Sequence, residues 1–185
     1  LHAARALMSI GVSKIKSFER KMKEVYPDVD TIKYMNNNGV EVEKSRRVDA
    51  HIEVDTNVEF KGSSQASGSY SMTGNEELEF LNDAIYFSRK GQKFEWQIAP
   101  QLDFTKATER MKEMLAGKGA TSLSFSKDLE GNFVVPGPGH MDQRLIGYLN
   151  SLGEDQRNFM MRRLIDLFGE LDSGKIVKSA GYVYE

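Results

Sequence analysis

The stretch Val48-Asp49-Ala50-His51-Ile52-Glu53-Val54-Asp55-Thr56-Asn57-Val58-Glu59-Phe60 alternates apolar and polar residues almost without a break. Successive side chains of a β-strand point to opposite faces. Val48, Ala50, Ile52, Val54, Val58 and Phe60 therefore define an apolar face, and Asp49, His51, Glu53, Asp55, Asn57 and Glu59 a wet one. After Gly62-Ser63-Ser64 a second alternation sets Ala66, Gly68, Tyr70 and Met72 against Gln65, Ser67, Ser69, Ser71 and Thr73, which predicts an antiparallel partner strand. A sheet with one wet face must bury the other. The expected core is Ile52, Val54, Phe60, Tyr70, Ile85, Phe87, Trp96 and Ile98.

Working toward the C-terminus, Leu78 and Phe80, a turn at Asn82-Asp83 and Ala84-Ile85-Tyr86-Phe87 read as two further strands. Arg89-Lys90-Gly91-Gln92 makes the next reversal, and Phe94, Trp96 and Ile98 alternate with Glu95 and Gln97. Pro100 stops that strand. Thr105 is placed to cap a helix whose face is Ala107, Met111, Met114 and Leu115 and whose end is Gly117. Thr121 to Phe125 and Asn132 to Val135 are short strand candidates on either side of Asp128-Leu129-Glu130-Gly131, and Pro136-Gly137-Pro138-Gly139 is a loop. Met141, Leu145, Tyr148, Leu149 and Leu152, then Met160, Leu164, Leu167, Phe168 and Leu171, predict a helical pair broken at Gly153. Lys175-Ile176-Val177 and Tyr182-Val183-Tyr184 supply closing strands.

Toward the N-terminus, Ile15, Phe18, Met22 and Val25 recur at helical spacing, which predicts an amphipathic helix from Ser13 to Val25. Val29 to Met35 reads as a short strand, and Asn36-Asn37-Asn38-Gly39 as a tight turn. The pattern as a whole predicts an α+β fold: residues 1–185 form a single domain in which a curved antiparallel β-sheet packs against and around amphipathic helices.

Composition narrows the function classes. The 185 residues contain no cysteine, which excludes a disulfide scaffold, a zinc-thiolate site and a thiol nucleophile. A formal charge of −2 offers no overall positive field to nucleic acid. No apolar run approaches the roughly 18 residues of a membrane span. The opening Leu1-His2-Ala3-Ala4-Arg5 has neither an initiating methionine nor a signal-peptide pattern, which predicts a trimmed form lacking its original start.

The chain shows no catalytic motif, so a non-enzymatic role with no cofactor is expected. The outward row Asp49, His51, Glu53, Asp55 and Glu59 reads as a solvated face, because residues two apart on a strand lie roughly 6.5–7 Å from each other and cannot share a small ion without help from a neighbouring strand. His2, His51 and His140 are far apart in sequence, so no metal site is expected. Pro136-Gly137-Pro138-Gly139-His140 matches neither a P-loop nor a dinucleotide fingerprint. Lys44-Ser45-Arg46-Arg47 and Arg162-Arg163 are short basic groups with acids nearby. What remains is apolar: nine methionines, ten phenylalanines and seven tyrosines suit either core or an adaptable hydrophobic surface. The sharper expectation is a groove between sheet and helices that accepts a lipid or another hydrophobic small molecule, lined by Phe18, Met22, Tyr70, Met72, Trp96, Met111 and Leu115. The alternative is a protein-interaction module that docks a partner through a sheet edge or the C-terminal helices.

The strand pair Val54 to Met72, the run Glu79-Phe80-Leu81-Asn82-Asp83-Ala84-Ile85-Tyr86-Phe87, the helix after Pro100 and the late Arg163-Leu164 to Asp172-Ser173-Gly174-Lys175-Ile176-Val177 together resemble the YceB-like bacterial lipoproteins. That resemblance implies a curved antiparallel sheet wrapped around a helix, as in tubular lipid-binding folds. It also implies a periplasmic or cell-envelope location, with peripheral membrane attachment through an N-terminal lipid whose anchoring cysteine is missing here. Residues 117–139 read as an insertion relative to that pattern. The family supplies no catalytic residues to carry over.

Overall fold

The computed structural model describes residues 30–46, 49–52, 55–62 and 68–180. Its central sheet has the strand order β3-β4-β6-β8, where β3 is Ala50–Ile52, β4 Thr56–Lys61, β6 Lys93–Ile98 and β8 Val177–Ser179. β4 and β6 are parallel, with Thr56 opposite Lys93 and Lys61 opposite Ile98, and β6 and β8 are parallel as well. Only the edge strand β3 is antiparallel to its neighbour. The expected α+β fold with a curved antiparallel sheet is therefore corrected: the central sheet is mixed, mainly parallel, and built on a β-α-β crossover.

The reason lies in Gly74–Arg89, expected as two strands around an Asn82-Asp83 turn and found as one 16-residue helix, α1. Thr73 and Glu76 close a capping box at its start: Thr73 Oγ1 accepts from Glu76 N at 3.2 Å, and Glu76 Oε1 accepts from Thr73 N at 3.1 Å. Phe80, Leu81, Ala84 and Ile85 then fall on one helical stripe, all buried. A helix of this length covers about 24 Å and returns the chain to the starting end of β4, so β6 has to run parallel. Asn82 and Asp83 make no turn. Asn82 Oδ1 accepts from Met35 N at 2.9 Å, and Asp83 Oδ2 accepts from Trp96 Nε1 at 3.1 Å.

Other elements follow their local signals. β1 (Asp30–Met35) and β2 (Glu41–Arg46) form an antiparallel hairpin. Its Asn-Gly turn is held by Asn36 Oδ1, which accepts from the backbone of Asn38 and Val40, and by Gly39 at φ +73°. Among the described residues the second alternation contributes β5 (Gly68–Ser69), which pairs in parallel with β7 (Leu102–Asp103) and not with the long strand. Helices α2 (Thr105–Ala116), α3 (Gln143–Ser151) and α4 (Glu154–Asp172) stand where the apolar periods place them. The helix expected at Ser13 to Val25 and the strand at Tyr182 to Tyr184 lie outside the described residues.

Of the expected core, Phe60, Tyr70, Ile85, Phe87, Trp96 and Ile98 are buried, and Asp55 is exposed as the alternation requires. The side chains of Ile52, Glu53 and Val54 are not among those described. The wet face fails at β4, where Asn57, Glu59 and Lys61 are buried along with Val58 and Phe60. β4 is an interior strand between β3 and β6, and interior strands of a sheet that carries crossover helices are covered on both faces. Asp49 is half-buried and accepts from Phe60 N at 2.8 Å. The aromatic centre is Phe80, edge-on to both Trp96 (6.0 Å) and Phe94 (6.2 Å), with Phe87 stacked on Phe94 at 5.9 Å.

Candidate functional site

Of the seven residues expected to line an apolar groove, Phe18 and Met22 lie outside the described residues. Tyr70, Trp96, Met111 and Leu115 belong to one hydrophobic cluster, and Met72 packs half-buried against it. Trp96, Met111 and Leu115 have no solvent-accessible area at all. Tyr70 and Trp96 border a buried polar group that the sequence reading did not anticipate. Lys61 Nζ donates to Glu79 Oε1 at 2.9 Å and to Glu59 Oε1 at 3.2 Å, and it stands 4.7 Å from the centre of the Trp96 ring. The Tyr70 hydroxyl donates to Glu76 Oε2. Burial by itself depresses the Lys61 ammonium, but the charges of Glu59 and Glu79 outweigh it and hold that group above the ordinary lysine range. Burial, followed by the hydrogen bond to Glu76, keeps the Tyr70 phenol protonated far beyond its usual range.

The second candidate site is the segment between α2 and α3. Its tip is a closed hairpin: Gly131 N donates to Asp128 O, Asp128 N to Asn132 O and Val134 N to Ser126 O, around a single bridge between Lys127 and Phe133. Asp128 Oδ1 also accepts from Glu130 N and Asn132 N, both at 2.9 Å, an Asx arrangement that stiffens the turn. Leu129 projects fully exposed at this tip. Below the bridge the two arms separate, and a cleft of about 520 Å³ lies between Ser122–Ser126 on one side and Val134–Gly137 on the other, with Ala116 and His140 at its base.

Exposure alternates along the first arm. Thr121, Ser122, Ser124 and Ser126 are exposed, while Leu123 and Phe125 are half-buried against the core. This arm has no strand partner: among the described residues, the N–H and C=O groups of Thr121–Phe125 take part in no hydrogen bond. The second arm is tied elsewhere. Phe133 N donates to Asn158 Oδ1 of α4 at 2.8 Å, Asn158 Nδ2 donates to Asn132 Oδ1 at 2.9 Å, and the Phe133 ring meets Phe125 edge-on at 5.9 Å. The two strand candidates read from the sequence form no strand here and meet only at the single bridge near the tip.

The base of the segment is clamped. Asp142 N donates to Met114 O at 2.9 Å, and Gly117 sits at φ +92°, where a Cβ would stand 3.0 Å from Gly139 O and 3.3 Å from His140 Cα. Gly117→Ala is expected to destabilise the protein by about 1–3 kcal/mol, since both the backbone angle and the contact are unfavourable for alanine. The urea midpoint checks this, and an unchanged midpoint would mean that the clamp relaxes freely.

Asp142 is the N-cap of α3. It accepts from Arg144 N at 2.9 Å and pairs with the Arg144 guanidinium at 2.9 Å. Burial raises its pKa, but the bonds and charge of Arg144 more than compensate, so its carboxyl titrates below the ordinary aspartate range. A depressed folded-state pKa means stability that is complete above the unfolded value and lost as pH falls through the folded one. Asp142→Ala should therefore cost about 0.5–2 kcal/mol at neutral pH. The gap between variant and parent should close in strongly acidic buffer, as followed by thermal melts across a pH series. A gap independent of pH would contradict the assignment.

Among the described residues no helix is long and apolar enough to cross a membrane, and no group of three His, Asp or Glu side chains is placed to hold a metal ion. No family model, no curated protein and no solved structure matches the chain.

Proposed function

We propose that the protein is an interaction module that takes up an extended segment of a partner protein between the open arms of residues 121–137. The observation that carries this reading is the unsatisfied backbone of Thr121–Phe125 beside a cleft of about 520 Å³. An exposed strand edge templates pairing with another chain, and proteins that avoid this place charge or proline on the edge. Ser122-Leu123-Ser124-Phe125-Ser126 carries neither. Adding a strand would satisfy these groups through main-chain hydrogen bonds, with alternate side chains giving specificity. The half-buried Leu123 and Phe125 suit small apolar side chains on one face of the incoming segment. The exposed serines suit uncharged polar ones on the other.

The rival reading, binding of a lipid or hydrophobic small molecule, rests on a curved antiparallel sheet, whereas the central sheet is mixed and mainly parallel. Panning a random linear peptide library against the protein tests the proposal. Selected peptides should slow amide exchange at Thr121–Phe125. Protection confined to the exposed Phe159 side of α4 would overturn the strand-addition reading in favour of docking on the C-terminal helices. Failure to select any peptide, with a lipid mass retained in native mass spectrometry, would favour the hydrophobic-ligand reading.

A further inference from the structure

The buried group around Lys61 is independent of the open hairpin and has the makings of a covalent site. A primary amine, a carboxyl group that would act as electrophile and a second carboxyl group able to carry protons converge here, the first carboxyl, on Glu79, with its side chain 23% exposed. Lys61 has no exposed surface, and Glu59 is 4% exposed. Glu79 Oε1 and Glu59 Oε1 lie 2.9 and 3.2 Å from the same Nζ. The Trp96 ring closes one side at 4.7 Å, and the Tyr70–Glu76 pair stands nearby. We infer that Lys61 and Glu79 condense spontaneously into an amide that joins β4 to α1, with Glu59 as the proton carrier.

The roles follow from position. Glu59 and Lys61 are two residues apart on one strand, so a bond between them would be local, whereas Glu79 belongs to the crossover helix. Glu59 takes a proton from the Lys61 ammonium and passes it to Glu79, which leaves a neutral amine beside a neutral carboxylic acid. The amine nitrogen attacks Glu79 Cδ and forms the C–N bond. Glu59 then moves the excess proton from nitrogen to the departing hydroxyl, the C–O bond breaks and one water leaves. Ammonium plus carboxylate gives amide plus water, Glu59 is restored, and no oxidant or co-reactant is needed. Condensation expels one water and spares the fully buried Lys61 from being held as an ammonium, while the Glu59 carboxylate is left beside a neutral amide. The same carboxylates that hold Lys61 protonated make the first proton transfer the slow step, so the bond should form after folding and not during it.

Intact-mass spectrometry of the purified, folded chain is the test. The mass should be lower than the sequence mass by one water, about 18 Da. Proteolysis should yield a branched peptide that joins the fragments containing Lys61 and Glu79. Glu59→Gln, which keeps the shape of the side chain but cannot carry the proton, should restore the full mass. A parent protein at the full sequence mass after prolonged incubation would overturn the inference, as would a missing water that maps to any other pair of residues. The mass of the parent chain decides the matter even if the variant fails to fold.

Discussion

Trp96→Ala is expected to cost about 3–5 kcal/mol, the largest loss from any single truncation in this core. Trp96 is fully buried, packs edge-on to Phe80 at 6.0 Å, covers the Lys61 ammonium and donates to the buried Asp83 carboxylate at 3.1 Å. Alanine would leave a cavity in the sheet–helix interface and remove one hydrogen bond from a buried carboxylate at the same time. Trp96→Phe separates the two effects, since it keeps ring contact with Phe80 and loses only the indole donor, at about 1–2 kcal/mol. Trp96 is the sole tryptophan, so unfolding of the variants must be followed by circular dichroism. A loss below about 1 kcal/mol for the alanine variant, at the low end of what even one buried methyl costs, would show that the interface collapses to fill the space.

Ser124→Pro should reduce the affinity for selected peptides at least tenfold, about 1.4 kcal/mol or more, while leaving the melting temperature close to that of the parent. The side chain of Ser124 is exposed, and its N–H has no partner among the described residues, so proline removes nothing that the free protein uses. In a bound state it deletes a ladder donor and opposes close approach of a second strand. Ser124→Ala is the control, because it alters the side chain and keeps the donor. Equal binding by the proline variant would mean that the peptide is held by side chains alone and that the arm is not a strand template. A large fall in melting temperature would instead show that the arm is part of the folding core.

Local signals in this chain were legible because each is resolved within a few residues. Asn36-Asn37-Asn38-Gly39 makes its turn through Asn36 Oδ1 and the left-handed Gly39. Lys93–Ile98 alternates as a strand does, and the apolar spacing of Thr105–Ala116, Gln143–Ser151 and Glu154–Asp172 matches a helix and nothing else. Gly74–Arg89 was not legible in this way. Its dense apolar run from Phe80 to Phe87 satisfies the strand period and the helical period alike, and the capping box at Thr73 and Glu76 was the one local sign of a helix.

That single ambiguity set the direction of every later strand, since a hairpin returns the chain antiparallel and a helical crossover returns it parallel. It also decided the candidate sites. Alternation assigned Glu59 to solvent, but only the position of β4 between β3 and β6, with α1 carrying Glu79 over it, makes a buried partner of Glu59 and Lys61. Thr121 to Phe125 and Asn132 to Val135 read as strands in the sequence but form none in the structure. That they pair only at the Lys127–Phe133 bridge, with the outward-facing Phe133 N tied to Asn158 Oδ1 25 residues further on, was not legible in the sequence. A residue's own side chain and its near neighbours determine turn, helix or strand. Which backbone groups remain unpaired is determined by contacts between segments distant in the chain.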